Sequence, residues 1–295
     1  MMNLVVGATG MVGSEICRLL IAAGKPVRGL VRATSDPAKV DQLKGYGVEV
    51  VQGDLRDRAS LDAACQGVTA AISTASAMPF SYDPEENNIQ TTDTEGLMHL
   101  IEAAQAAGVE HFVYTSFTPD YDFPLRNAKR AVEGRLKDSG LTYTILRPSY
   151  FMEVWLSPGV GFDAAGAKVQ VYGTGENPIS WISFRDVARF AVESLDNPTA
   201  RNATLALGGP EALSQLEMVQ IFEEISGRSF EVQHVPEAAL EEQQKTATDA
   251  MQQSFSGLMR WYARGDPIDM SATLEAFPVQ LTSVRDYANS VLATA

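Results

Sequence analysis

Cysteine is nearly absent from this chain. Cys17 and Cys65 are the only two in 295 residues, and neither has a Cys or His neighbour at metal-ligand spacing. A disulfide framework is therefore not indicated, and free buried thiols in a reducing compartment are the expectation. Histidine is equally scarce: His99, His111 and His234 are too scattered to form a metal site, so no metal is expected. Basic residues are also few. Twenty-three Lys and Arg against 37 Asp and Glu leave a formal net charge of −14, which argues against binding nucleic acid through its phosphates and against an anionic membrane surface. No apolar run is long enough for a membrane span. The N-terminus enters an apolar strand with no basic segment before it, so no signal peptide is expected and a cytoplasmic location is. Internal repeats and low-complexity tracts are missing too.

What is there begins at the first residues. Leu4 to Val6 read as a buried parallel strand that stops at Gly7. Gly7, Gly10 and Gly13 recur every third residue, and Val12, Ile16, Leu19, Leu20 and Ala23 follow at helical spacing. Strand, glycine turn and amphipathic helix open a dinucleotide-binding βαβ unit. The first glycine permits the tight turn, the second lets a pyrophosphate approach the backbone, and the third lets helix and strand pack closely.

The first half alternates the two element types. Strands are expected at 3–6, 27–31, 48–52, 70–73, 111–115 and 142–146. Helices are expected at 10–23, 38–46, 60–65, 94–107 and 127–139, three of them ending at Gly24, Gly108 and Gly140. Strands regularly separated by helices make an α/β, doubly wound parallel sheet, with its ligand beyond the C-terminal strand ends. After Pro148 the pattern changes. Residues 151–179 show no clean periodicity, 184–195 read as helix, 203–207 as a strand returning to the first sheet, and 214–226 as helix. A polar-rich helical stretch at 237–263 carries Phe255, Leu258, Met259 and Tyr262 as apolar positions. The expected organisation is a dinucleotide-binding domain over 1–150, with a return segment near 181–208, and a second, smaller, mostly helical domain over 151–295.

The second strand ends in Arg32, where NAD-binding units carry an acid for the ribose 2′-hydroxyl. Ser35 and Lys39 follow. A guanidinium there suits a 2′-phosphate, so NADP is expected over NAD; the plain alternative is a solvated arginine. Asp54, after the third strand, could accept from the adenine amino group or cap the next helix, while Leu55 packs on the ring. Ser73, Thr74 and Ala75 leave room for a cofactor crossing the strand ends.

The glycine turn, Gly53-Asp54, the stretch 96–116 (GLMHLIEAAQAAGVEHFVYTS) and 139–148 (SGLTYTILRP) together resemble the NmrA-like group of atypical short-chain dehydrogenases, over about residues 1–235. The resemblance implies an NAD(P)-binding Rossmann domain with a small C-terminal domain. By position, Gly7, Thr9, Gly10, Met11 and Val12 match its phosphate loop. Arg32 and Lys39 match its 2′-phosphate clamp, and Pro148 to Phe151, Tyr150 included, match the segment that closes over the nicotinamide. Thr115 and Ser116 belong to the same cofactor-binding set. The group holds quinone and isoflavonoid-type reductases, and also redox-sensing regulators and assembly factors that catalyse nothing.

One departure stands out. Complete short-chain dehydrogenases use Tyr-x-x-x-Lys, the tyrosine donating a proton and the lysine holding the ribose. Lys129 matches the lysine and is the candidate catalytic residue, but the position four earlier holds Leu125. Ser116 matches the usual serine. Phe117, Tyr150, Phe151, Met152, Trp155 and Trp181 either flank a flat, apolar or aromatic substrate or form the core of the second domain. Two functions are therefore expected. One is an NADP(H)-dependent oxidoreductase transferring hydride to a flat carbonyl or quinone-like substrate. The other is a non-catalytic NADP-binding redox sensor, regulator or assembly factor with a protein partner, for which the stripe on 237–263 is the candidate surface.

Overall fold

A computed structural model describes residues 2–78 and 82–293. It divides into two compact units. The first comprises Met1–Ser116, Asn127–Arg147 and Val187–Leu205; the second comprises Phe117–Arg126, Pro148–Asp186 and Ala206–Ala295.

In chain order the first half runs β1 (Met2–Val6), α1 (Met11–Ala22), β2 (Val27–Val31), α2 (Pro37–Tyr46), β3 (Glu49–Gln52), α3 (Arg58–Cys65) and β4 (Val68–Ser73). A π-helical segment (Ile89–Gly96) follows and runs into α4 (Leu97–Ala106), then β5 (His111–Thr115), α5 (Pro124–Lys137) and β6 (Thr142–Pro148). The remainder is α6 (Met152–Trp155), β7 (Phe162–Asp163), β8 (Lys168–Tyr172), α7 (Phe184–Glu193), β9 (Ala203–Leu207), α8 (Gln215–Ser226), β10 (Glu231–Val235), α9 (Glu237–Thr246), α10 (Ala250–Arg264), α11 (Ser271–Ala276) and α12 (Val284–Leu292).

The first unit is built on a seven-stranded sheet of order β3-β2-β1-β4-β5-β6-β9, parallel from β3 through β6. This is the doubly wound α/β sheet expected from the strand-helix alternation, with 203–207 returning to it. Strand order reverses between β1 and β4, the place where such sheets bind ligands. Register makes that place a line. Val6 pairs with Leu30 and Ser73, and Ser73 pairs with Tyr114. Gly7 and Thr74 therefore leave the sheet at one edge, next to Thr115, the last residue of β5. Beneath it Leu61, Leu97, Leu100, Ile101, Phe112, Val132 and Leu136 form a core with no exposed surface, each such side chain contributing about 1.5–3 kcal/mol by leaving water.

The helix between β4 and β5 departs from the sequence expectation. Residues 94–107 read as one α-helix, but the segment from Ile89 to Gly96 is π-helical, started by a reciprocal Asn88–Thr91 capping box. The wider turn places Ile89, Thr92, Asp93 and Gly96 in the interior.

The second unit holds a three-stranded sheet, β10-β8-β7, beside its helices. Its core is aromatic: Phe162 packs edge-on to Phe222 and stacks on Phe230, and Trp155 stacks on Tyr262 at 4.6 Å. The stretch 237–263 is two helices rather than one. The break falls at Ala247, after which Asp249 caps α10 by accepting from the Gln252 N–H. Met259 and Tyr262 of α10 lie in this core with Phe255 packed against it. Three of the four stripe residues are thus engaged within the unit's own core, and Leu258 is half-buried.

Candidate functional site

The glycine turn after β1 is closed by its own backbone. The Gly10 N–H donates to the Gly7 carbonyl at 2.9 Å, and Gly7 sits at φ +85°. A Cβ on Gly13 would lie 2.1 Å from the Gly7 oxygen, and one on Gly7 would lie 2.7 Å from the Thr74 Oγ1. A Cβ on Gly10 would meet the Gly7 oxygen at 3.2 Å and nothing else within 4 Å. Two of the three glycines are thus needed by the fold, while the third keeps space clear on its outer side. Gly10 is the N-cap of α1 and no side chain caps that end, so the first N–H groups of the helix point outward over the turn. Thr9 is half-buried, Val12 is buried and Met11 is 39% exposed, an unusual exposure for methionine in this chain. The Thr74 hydroxyl reaches back toward the Val6 and Gly7 carbonyls, and Ala75 is half-buried beside it. These features fit a dinucleotide pyrophosphate: open backbone, uncapped helix N–H groups and a glycine with no side chain on the outer side of the turn.

At the end of β2, Arg32 is exposed. Its N–H donates to the Ser35 hydroxyl at 3.0 Å, and the Ser35 N–H returns to the Arg32 carbonyl. Lys39 is exposed in the first turn of α2, whose N-cap is Asp36. Asp54 pairs with Arg56 through two guanidinium bonds of 3.0 and 2.9 Å. Those bonds, with the nearby Arg32 charge adding to them, hold its carboxyl below the usual range. The cap of α3 is Asp57, which accepts from the Ala59 N–H; Asp54 does not serve there. Leu55 is buried in the core beneath the sheet, against Gly96.

The end of β5 faces two buried ionic clusters carried by α5. In the first, Lys129 Nζ lies 3.5 Å from Asp93 Oδ1 and 5.7 Å above the Tyr114 ring centre, with its side chain 7% exposed. Asp93 is fully buried, and its Oδ2 accepts from the Ala77 N–H at 2.9 Å. Burial, with the Asp93 and Glu133 charges beside it, pushes the Tyr114 phenol well above its ordinary value. In the second cluster Glu133 accepts from Ser116 Oγ at 2.6 Å, from Arg130 at 2.8 Å and from Arg147 at 3.0 Å. Burial works to raise the Glu133 carboxyl, but the bonds from Arg147 and Ser116 and the two guanidinium charges outweigh it and leave it lowered. Ser116 is thus engaged with α5, accepting from Arg130 as it donates to Glu133. Thr115 is buried next to it. Asp93 and Glu133 escaped the reading of the sequence. Asp93 lies 36 residues before its partner in a segment whose π-helical turn no 3.6-residue pattern reveals, and Glu133 looks like any polar residue on an amphipathic helix.

In the second unit, the Pro148 carbonyl accepts from the Thr118 N–H, and Phe151 is half-buried at the start of α6. Tyr150 is buried, donates its hydroxyl to the Leu258 carbonyl at 3.1 Å and lies edge-on to Trp155 at 4.5 Å. Met152 and Trp181 have no exposed surface, so for them and for Tyr150 the core reading of the aromatic cluster holds; Phe117, Phe151 and Trp155 are half-buried. Leu125 is buried, and its N–H donates to the Ser254 hydroxyl at 3.0 Å. Cys17 and Cys65 are free and buried, and burial pushes their thiols up to about 12 and about 11. Among the described residues no helix is long and apolar enough to cross a membrane.

The sequence profile of the NmrA-like family matches residues 3–288. The chain belongs to the NmrA-like family. It is 31% identical over 281 residues to an NAD(P)H azoreductase of Xenophilus azovorans, spanning 94% of this chain and 92% of that one. It is 32% identical over 241 residues to the photosystem II assembly factor Ycf39 of Trieres chinensis, spanning 79% and 72%. Among solved structures, the NADPH complex of the Escherichia coli quinone oxidoreductase QOR2 superposes with a TM-score of 0.77. The match covers 98% of this chain and 99% of that one at 22% identity, a likeness that speaks for the fold.

Proposed function

We propose that this NmrA-like protein is an NADP(H)-dependent reductase that passes hydride to a flat carbonyl or quinone-like compound. The observation that carries the reading is the glycine turn, where Gly7 and Gly13 are closed by the chain's own atoms and the Gly10 Cβ position meets the Gly7 oxygen alone. The azoreductase relative, matched over nearly its whole length, supports reduction of a flat conjugated substrate.

In this reading Gly7, Thr9, Gly10, Met11 and Val12 hold the pyrophosphate at the N-terminus of α1. Thr74, Ala75, Thr115 and Ser116 border the cofactor at the strand ends. Arg32 and Lys39 hold the 2′-phosphate, a bidentate guanidinium being suited to it. Asp54 and Leu55 lie on the adenosine side, and Pro148, Phe151 and the backbone of Tyr150 on the nicotinamide side. The bound cofactor supplies the hydride. Lys129 holds the nicotinamide ribose and brings positive potential to the place where negative charge develops on the acceptor oxygen. We assign the protein to the cytoplasm, in keeping with its two free thiols, and its substrate is a small apolar or aromatic molecule rather than a nucleic acid.

The second reading, a non-catalytic NADP-binding factor with a protein partner, is favoured by the similarity to Ycf39 and by Leu125 at the acid position. One experiment separates the two. NADPH oxidation is followed against a panel of quinones, azo compounds and enones, and NADPH and NADH affinities are measured by calorimetry. Turnover with NADPH preferred supports the reductase. Tight NADPH binding with no turnover gives the site to the second reading, and no binding of either cofactor removes both.

A further inference from the structure

Asp93 has an environment that packing alone does not explain. Its carboxylate is fully buried, and an isolated charge in such a place is strongly disfavoured unless it is paired. Its two oxygens are divided between tasks. Oδ2 accepts from the Ala77 N–H at 2.9 Å, fixing the carboxylate to the segment that leaves β4. Oδ1 lies 3.5 Å from Lys129 Nζ, within ion-pair range but outside hydrogen-bond geometry. The ammonium also lies over the Tyr114 ring. Well-packed apolar residues in place of a buried ion pair are often as stable or more so, so the pair is a poor device for stability. The backbone that carries Asp93 is unusual in the same sense. It is π-helical, a rare conformation that tends to occur at functional sites, and the widened turn is what turns Thr92 and Asp93 inward.

We propose that Asp93 is a positioning residue for Lys129. It fixes the direction of an otherwise flexible four-carbon side chain, so that the ammonium is presented to the nicotinamide ribose at a set distance from the end of β4. The inference rests on the assignment of Lys129 to that ribose. Asp93 touches neither cofactor nor substrate; its effect runs through Lys129.

The test is a double-mutant cycle read by binding, on the full chain. Asp93→Asn keeps an acceptor for the Ala77 N–H and removes the charge. Lys129→Met removes the ammonium at similar volume. The double variant leaves no unbalanced charge, and Asp93→Glu keeps the charge but displaces it by a methylene. Affinities for NADPH and for adenosine 2′,5′-bisphosphate, which has the 2′-phosphate but no nicotinamide ribose, are measured for each by calorimetry, with urea unfolding as the check on folding. Asp93→Asn should weaken NADPH by about tenfold, and the double variant should bind no more weakly than Lys129→Met, as two residues acting through one contact require. Asp93→Glu should lie between wild type and Asp93→Asn. Adenosine 2′,5′-bisphosphate should bind every folded variant within about twofold of wild type, because its contacts lie on the other half of the cofactor. If Asp93→Asn fails to fold, Asp93→Glu and the double variant carry the same comparison.

Equal losses for both ligands would make Asp93 a structural residue and overturn the inference. Fully additive losses in the cycle would do the same. Wild-type NADPH affinity in Lys129→Met removes the lysine assignment together with the inference. Loss in Lys129→Met with wild-type affinity in Asp93→Asn and Asp93→Glu removes the inference alone. Wild-type protein that binds neither ligand removes the cofactor reading beneath both.

Discussion

The three glycines of the turn should separate cleanly on substitution by alanine. In the first turn of a helix, Gly to Ala ordinarily stabilises by up to about 1 kcal/mol. At Gly13 the sign reverses. The new Cβ would stand 2.1 Å from the Gly7 oxygen and 2.7 Å from its carbon, and the Gly7 carbonyl cannot retreat while it holds the Gly10 N–H at 2.9 Å. Relief requires the turn to open, costing about 1–3 kcal/mol for the overpacking and about 1 kcal/mol for the hydrogen bond, so after the helix gain a net loss of about 2 kcal/mol is expected. At Gly10 the backbone is at φ −77° and ψ 167°, open to any residue, and the sole close atom is the Gly7 oxygen at 3.2 Å. Alanine there is a poorer N-cap than glycine, so the loss should stay within about 1 kcal/mol. Its methyl, however, fills the space assigned to the pyrophosphate, and NADPH affinity should fall by about two decades, roughly 2.7 kcal/mol. Urea unfolding by circular dichroism and calorimetric titration with NADPH read the two quantities on the same samples. A Gly13→Ala protein as stable as wild type would refute the steric reasoning. A folded Gly10→Ala protein with unchanged NADPH affinity would put the dinucleotide elsewhere.

Three further outcomes are expected. Arg32→Ala should weaken NADPH by one to two decades and leave NADH nearly untouched, since a charge-assisted bidentate contact contributes about 1.5–3 kcal/mol; equal losses in calorimetry would assign Arg32 to solvent. His111 donates Nε2–H to Thr144, whose hydroxyl is spent on the Ala200 carbonyl, and burial, aided by the Arg201 charge, pushes the ring down to about 4 from 6.5. The unfolded chain then binds the extra proton between those values, so stability is complete above about pH 6.5 and falls as pH drops toward 4. About 2 kcal/mol should be lost between pH 7 and pH 5 in wild type relative to His111→Gln, and parallel urea profiles for the two would contradict it. Glu133→Ala strands Arg130 and Arg147 around an empty buried site and should cost about 3 kcal/mol in urea unfolding at pH 7. The lowered Glu133 carboxyl stabilises the fold above the ordinary carboxylate value, and that contribution should disappear as pH falls below it.

The parts of the fold legible in the sequence are those whose cause is local and periodic. β2, β5 and β9 lie where short apolar runs end at turn residues, and the glycine turn lies where strand gives way to helix. Cues were present but too weak for the second unit. In β8, residues 168–171 alternate outward and inward, yet the partner strand β10 is about sixty residues later and mostly exposed. The break in 237–263 is a capping event at Asp249 inside a polar run, where hydropathy carries no contrast. The site divides the same way. Glycines and Arg32 announce themselves by position relative to strands. Asp93 does not, because its meaning depends on a π-helical turn and on a lysine from another helix.

The missing tyrosine constrains the chemistry further. Leu125 is buried and can donate no side-chain proton. Ser116 donates its hydroxyl to Glu133, and a donor engaged with that lowered carboxylate has little to offer a substrate oxygen. Tyr114 has no exposed surface and lies beneath the Lys129 ammonium, with burial holding its phenol far above neutrality. Of the residues considered, Leu125 has no proton to give, Ser116 is committed and Tyr114 is sealed. On the proposed reading, a reductase built this way releases its product as an anion beside the Lys129 ammonium, or has it protonated by water or by that ammonium. Acceptors whose reduced anion is stabilised by conjugation, quinones foremost, meet that requirement, whereas a simple aliphatic ketone yields an alkoxide that one lysine cannot sustain near neutral pH. On the proposed reading, a preference for flat conjugated acceptors over ordinary ketones thus follows from what α5 lacks at Leu125 as much as from what it carries at Lys129.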